Sequence, residues 1–153
     1  MIKVNVFSEE KAWAKKLKNS DLFFKKICNA FPKKYKFPNK KISLSLLLSN
    51  NKNIKKLNKN FRNKNKSTDI LSFRLNKKIK ISKNTYLGDI IISYNYLDKP
   101  KSQDLLSFKQ KVIKIFIHGF LHLLGFDHIK NKDYFKMLRE ENYIYKHVKS
   151  KIN

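Results

Sequence analysis

The sequence predicts an α/β (α+β) fold in which a mixed four-stranded sheet packs with about four to five helices. Three observations predict it. Short stretches alternate apolar and polar residues with a period of two, longer stretches repeat their apolar residues at helical spacing, and their order along the chain reads β-α-β-α-β-β-α-α. At 153 residues and 41% apolar content the chain can fill one core, and with three glycines and three prolines it has no flexible linker, so residues 1–153 read as a single domain.

The first strand is Ile2 to Phe7, where side chains alternate. Ser8 is placed to cap a long helix over Glu9 to Phe31, with two acids in its first turn and Pro32 to end it. A second strand follows over Lys41 to Leu48, its serines turned outward. Ser49 or Asn50 then starts a short helix marked by Ile54, Leu57 and Phe61, and Arg62 to Thr68 is a polar loop. Ile70 to Arg74 and Tyr86 to Ser93 are the remaining strands, separated by a lysine-rich turn. The second of them is almost continuously apolar around Asp89. A long central helix runs from Ser102 or Gln103 to Gly125, with Leu105, Leu106, Phe108, Val112, Ile113, Phe116, Phe120, Leu121 and Leu124 on its apolar side. The last helix covers Lys132 to Lys149, led by Asn131 and Asp133 and burying Phe135, Leu138 and Tyr145.

Composition narrows the setting. No apolar run approaches the roughly 20 residues that span a bilayer, and the N-terminus lacks the pattern of a secretory signal, so a cytoplasmic protein with no membrane partner is expected. Cys28 is the only cysteine, which excludes an internal disulfide and reads as small core filler. Thirty-six basic residues against eleven acidic ones leave a net charge of +25, a field that attracts polyanions. Only Arg62, Arg74 and Arg139 are arginine, beside 17 asparagines, so part of the lysine content reflects AT-rich coding. The charge therefore permits RNA binding without proving it.

Three of the four histidines fall inside His118-Gly-Phe-Leu-His122-Leu-Leu-Gly125-Phe-Asp-His128. His118 and His122 are one helical turn apart and share a face, and Gly125 can take the left-handed conformation that ends the helix and returns His128 to the same point. On a helix otherwise rich in leucine and phenylalanine, unpaired imidazoles are costly, which favours a metal over polar surface decoration. Three ligands leave a fourth position open, the mark of a catalytic zinc, and one Zn²⁺ per chain is expected. His147 reads as surface.

The spacing H-x-x-x-H-x-x-G-x-x-H is similar to the metzincin protease signature, which makes the expected site zincin-like, with Met137 where a methionine could floor it. Gly119 breaks the match, because it stands where a metalloprotease keeps the glutamate that activates water. Glycine inside a helix costs about 1 kcal/mol relative to alanine, so a substrate or another strand is expected to come close there.

The chain as a whole resembles the YbeY family, the bacterial endoribonucleases of ribosomal RNA maturation. The resemblance rests on four ordered blocks: Leu57-Asn58 through Phe61-Arg62, Ser67-Thr-Asp-Ile-Leu-Ser-Phe73, Leu87-Gly-Asp-Ile-Ile-Ile-Ser93 and the histidine block, spanning about residues 44 to 144. Phe126 stands where many members have tyrosine and Ser67 where many have proline. The resemblance implies a metal on His118, His122 and His128, with Arg62 facing the RNA and acting with His118 in catalysis. It also implies 3′-end processing of 16S precursor rRNA on the 30S or 70S ribosome, with a small-subunit ribosomal protein and an assembly GTPase as partners. RNA carries its own nucleophile in the 2′-hydroxyl, so a Lewis acid and a guanidinium could suffice without the missing glutamate. Asp69, Ser72, Asp89, Asp127 and Met137 are candidates for supporting the ligands or touching substrate; Asp69 could equally cap a turn, and Asp127 could shape the turn into His128. Two other readings stand beside the nuclease: a non-catalytic, metal-containing ribosome-assembly factor, and a metzincin-like peptidase.

Overall fold

The structure, a computed structural model, describes residues 1–152. Its strands are β1 (Ile2–Ser8), β2 (Lys41–Ser49), β3 (Ile70–Arg74) and β4 (Asn84–Ser93). They form one mixed sheet in the order β1-β2-β4-β3, with β1, β2 and β4 mutually parallel and β3 antiparallel at the edge. The helices are α1 (Ala12–Lys16), α2 (Ser20–Asn29), α3 (Asn51–Arg62), α4 (Tyr94–Leu97), α5 (Leu105–Leu123) and α6 (Asn131–Ile152). The fold is α+β, as the alternation of periods predicts.

The period of two decides which sheet face is which. In β2, Ile42, Leu44, Leu46 and Leu48 are buried while Ser43 and Ser45 turn to the other side. The buried set joins Ile90 and Ile92 of β4 under α5, α2 and α6, forming the main core with Trp13, Phe24, Phe31, Phe116 and Phe120. Phe24 meets Phe116 and Phe31 meets Phe120 at ring separations of 5.1 and 5.0 Å, so α2, which packs on β1, and α5, which packs on β3 and β4, meet side by side on one sheet face. On the opposite face, Leu71 and Ile91 receive Ile54 of α3 in a second, smaller cluster. α5 and α3 thus cover opposite faces of the same two strands.

The single long helix expected over Glu9 to Phe31 is two helices. Leu17 leaves helical geometry, and the Asn19 side chain accepts a hydrogen bond from the Leu22 N–H, starting α2 afresh. Asparagine competes for backbone donors in this way, and the break lets both Trp13 and Leu17 reach the core. α5 begins two or three residues later than expected, because Asp104 accepts from the Ser107 N–H and fixes its start, leaving Leu105 and Leu106 exposed rather than packed. In α6 the buried stripe is Met137, Ile144 and Val148, whereas Phe135 is 62% exposed, Leu138 lies largely at the surface and Tyr145 is half-buried. The face of that helix is set by what α5 offers it, which helical period alone cannot identify. Phe61, expected as an apolar mark of α3, is likewise exposed at its far end. Cys28 is buried in the core, as filler should be. Among the described residues, no helix is long and apolar enough to cross a membrane.

Candidate metal centre

The end of α5 is shaped by Gly125. With φ of +98° it takes a conformation that L side chains rarely adopt, and the chain folds back so that the Gly125 N–H reaches the His122 carbonyl and the Phe126 N–H reaches that of Leu121, both at 3.0 Å. Asp127 then accepts from the His128 N–H at 2.7 Å, tightening the turn that presents the third ring. One ring nitrogen from each of His118, His122 and His128 lies within 4.8 Å of the others, an arrangement able to hold a metal ion.

Hydrogen bonding says which nitrogens face inward. The His122 Nδ1–H donates to the Phe126 carbonyl at 2.9 Å, because a carbonyl can only accept. His118 Nδ1 pairs with the carboxylate of Glu141 on α6, which likewise accepts. In the neutral rings both Nε2 atoms therefore carry lone pairs, and they face one another at 3.1 Å. Around a tetrahedral zinc, with Zn–N bonds of roughly 2.0–2.1 Å, ligand nitrogens stand about 3.3 Å apart, so the spacing fits a shared cation. Burial, reinforced by the neighbouring His118 and His128, pushes the His122 pKa down to about 4, with the Phe126 carbonyl and Asp127 opposing. At neutral pH His122 is uncharged and keeps the lone pair that a metal requires.

Gly119 has its explanation in β3. A Cβ there would stand 2.7 Å from Ile70 Cδ1, 3.1 Å from Ser72 Oγ and 3.2 Å from Ile90 Cδ1, so it is a strand that comes close. A glutamate in the place a peptidase needs it would have to push these side chains aside.

Of the remaining candidates, Met137, Ser72 and Asp127 lie at or beside the histidine segment, and Asp69, Asp89 and Arg62 make no contact with it. Met137 is buried and lines, with His118, His128, Tyr134, Leu138 and Glu141, a small cavity of about 90 Å³. The Ser72 hydroxyl is buried beside Gly119 and has no hydrogen-bond partner among the described residues. Asp127 shapes the turn into His128. Asp69 accepts from the neighbouring Thr68 hydroxyl, and its carbonyl receives the Ser93 N–H where β3 pairs with β4; neither is a histidine contact. Asp89 is on the sheet face opposite α5, where it accepts from the Tyr86 hydroxyl at 2.5 Å and borders a groove of about 580 Å³ lined by Phe7, Leu47, Leu57, Phe61 and Phe73. That position also explains an acid inside an apolar run, since its neighbours in sequence point the other way. Arg62 is exposed as the last residue of α3, and Asn63 at φ of 54° turns the chain toward β3.

Two residues were missed by sequence reasoning. Glu141 touches His118 directly, and its only sequence signal is an acid inside the apolar stripe of α6. Arg74, at the end of β3, brings Nη1 to 3.8 Å from where a Cβ on Gly125 would be, placing a guanidinium beside the histidine turn.

The sequence model of the family described as Endoribonuclease YbeY matches residues 5–149. An endoribonuclease YbeY of Pelagibacter ubique is 62% identical over 152 residues, covering 99% of each chain. One from Ehrlichia canis is 34% identical over 137 residues, covering 90% of this chain and 86% of its own. The solution structure of a Thermotoga maritima protein superposes with a TM-score of 0.58 at 23% identity, covering 95% of this chain and 88% of that one, which supports the fold. With the histidine block, the Gly119 contact and the four-stranded sheet in hand, the matches at both levels lead to one statement: the chain belongs to the YbeY endoribonuclease family.

Proposed function

We propose that this protein is a zinc-dependent endoribonuclease that cuts single-stranded regions of precursor small-subunit rRNA in the cytoplasm, during 16S 3′-end maturation and ribosome quality control. The observation that carries the reading is the pair of inward-facing Nε2 lone pairs on His118 and His122 with His128 beside them. His118, His122 and His128 would hold the ion in a zincin-like site, with Asp127 keeping the His128 turn in shape. When bound, zinc supplies Lewis acidity to a phosphate oxygen and lowers the pKa of coordinated water toward about 7.

The chain's own residues supply the rest. Arg62 pairs its planar guanidinium with non-bridging oxygens of the phosphate, a bidentate task that lysine cannot perform, which accounts for an arginine among 33 lysines (36 basic residues less three arginines). The loop after Arg62 is anchored, since the buried Asn58 donates its side-chain amide to the Lys66 carbonyl at 2.9 Å. The lysine-rich surface draws in the RNA backbone. Substrate presented on the 30S or 70S particle, with a small-subunit ribosomal protein and an assembly GTPase as neighbours, fits the same reading. The names of the relatives support the endonuclease activity. Met137 supports the site from below.

Peptidase chemistry is disfavoured by the Gly119 contact with Ile70 and Ser72. Replacing His118 by alanine should remove both stoichiometric zinc and cleavage of precursor rRNA; full cleavage by a metal-free variant would end the proposal. If the protein is instead a non-catalytic assembly factor, purified zinc-loaded protein leaves RNA intact with and without chelator.

A further inference from the structure

α6 carries an acid where packing alone would choose an apolar residue. Met137, Ile144 and Val148 form the stripe it buries, and Glu141 stands in that stripe, four residues after Met137 and three before Ile144. On a helix these positions share one face, so Glu141 is drawn toward α5 together with its buried neighbours. What it meets there is the Nδ1 of His118. The carboxylate and the ring are each about a quarter exposed, a setting in which an unmatched charge is costly and a hydrogen-bonded one is held firmly.

The neighbouring acid fixes the helix in rotation. Glu140 faces roughly 100° away from Glu141, as adjacent helical residues do, and takes hydrogen bonds from the Tyr35 hydroxyl at 2.5 Å and Lys34 Nζ at 3.0 Å. One glutamate ties α6 to the segment after α2, and the next reaches the histidine centre.

We propose that Glu141 is the positioning residue for the His118 ligand: its carboxylate holds the proton on Nδ1, so that Nε2 keeps its lone pair and points at His122. This rests on the metal-site reading above and deepens it. His122 obtains the same restraint from a backbone carbonyl within its own turn, 2.9 Å away at Phe126. His118 sits a turn deeper in α5, where the backbone carbonyls are taken by the helix, so its restraint has to come from another element. A carboxylate behind a metal-bound imidazole also raises the basicity of the ligating nitrogen. A structural ion pair between α5 and α6 would need the charge of Glu141 but would be indifferent to which ring nitrogen holds the proton.

The test uses full-length protein with ¹⁵N-labelled histidine. In the metal-free wild type, His118 should be found as the Nδ1–H tautomer, and in Glu141→Ala it should shift toward Nε2–H. In competition with a chromogenic chelator, Glu141→Ala should bind zinc about 10–100-fold more weakly. Glu141→Gln, whose side-chain carbonyl still accepts from Nδ1–H, should keep the tautomer and recover most of the affinity. Circular dichroism confirms folding of each variant. Glu141→Ala that is folded, with wild-type zinc affinity and tautomer, overturns the proposal; should that variant not fold, a wild type with His118 in the Nε2–H form overturns it instead. Wild-type protein that loads zinc yet leaves RNA uncut counts against the nuclease reading alone, because the tautomer is read without RNA and without metal.

Discussion

His118 and His122 present their Nε2 atoms to one another across 3.1 Å, with each ring's other nitrogen already engaged. Two lone pairs at that distance repel unless a cation lies between them. Zinc should therefore stabilise the folded chain: at free zinc 100 times its dissociation constant the gain is about 2.7 kcal/mol. A rise in Tm on adding zinc, reversed by chelator and absent in His122→Ala, is the expected calorimetric result.

Arg62 ends α3 at the surface, on the sheet face opposite α5, and the loop after it leads into the edge strand that packs on Gly119. Arg62→Ala should lower kcat/KM for RNA by about 10²–10³-fold, the cost of removing one donor to a developing charge. Arg62→Lys should recover little, because charge without the planar fork does not replace it. Zinc content should stay at the wild-type level in both variants.

The contact of Gly119 with Ile70, Ser72 and Ile90 makes a further prediction. Gly119→Glu should cost roughly 3 kcal/mol from overpacking and a buried carboxylate, seen as a lower urea midpoint, and should bring no peptidase activity on casein. Gly119→Ala should be much milder, since helix propensity offsets part of the clash and the nearest atom is the mobile tip of Ile70.

Glu140 gives a pH dependence whose sign can be worked out. Burial by itself would raise its pKa, but hydrogen bonds from Tyr35 and Lys34 outweigh this and hold it below the ordinary carboxylate value. The unfolded state then binds the proton first on acidification, so the contribution is complete above the unfolded pKa and is lost as pH falls through the folded one. Glu140→Gln should be less stable than wild type at pH 7, and the two should converge below about pH 4 in thermal melts.

How far the sequence could be read depended on whether a feature was local. The strands, the Asn50 and Gly125 helix ends and the three-histidine cluster follow from neighbours a few residues apart, and their spacing was enough to find them. The break at Asn19 was written in the sequence as well, but a continuous run of helix-forming residues masked it. The buried face of α6 was misread because Phe135 and Leu138 look like core, while the deciding surface belongs to α5. Glu141 was invisible for the same reason: its partner is 23 residues away, and nothing in either segment alone pairs them. The serine and strand behind Gly119 were foreseen only as an unnamed close approach.

The meeting of Gly119 with β3 also bears on how such scaffolds diversify. A single amino-acid replacement would restore the protease-like glutamate, yet its Cβ would stand 2.7 Å from the Ile70 side chain and 3.1 and 3.2 Å from those of Ser72 and Ile90. Conversion to proteolysis would therefore have to trim the strand residues that face the helix as well, so the change of chemistry is tied to a change of packing on two strands.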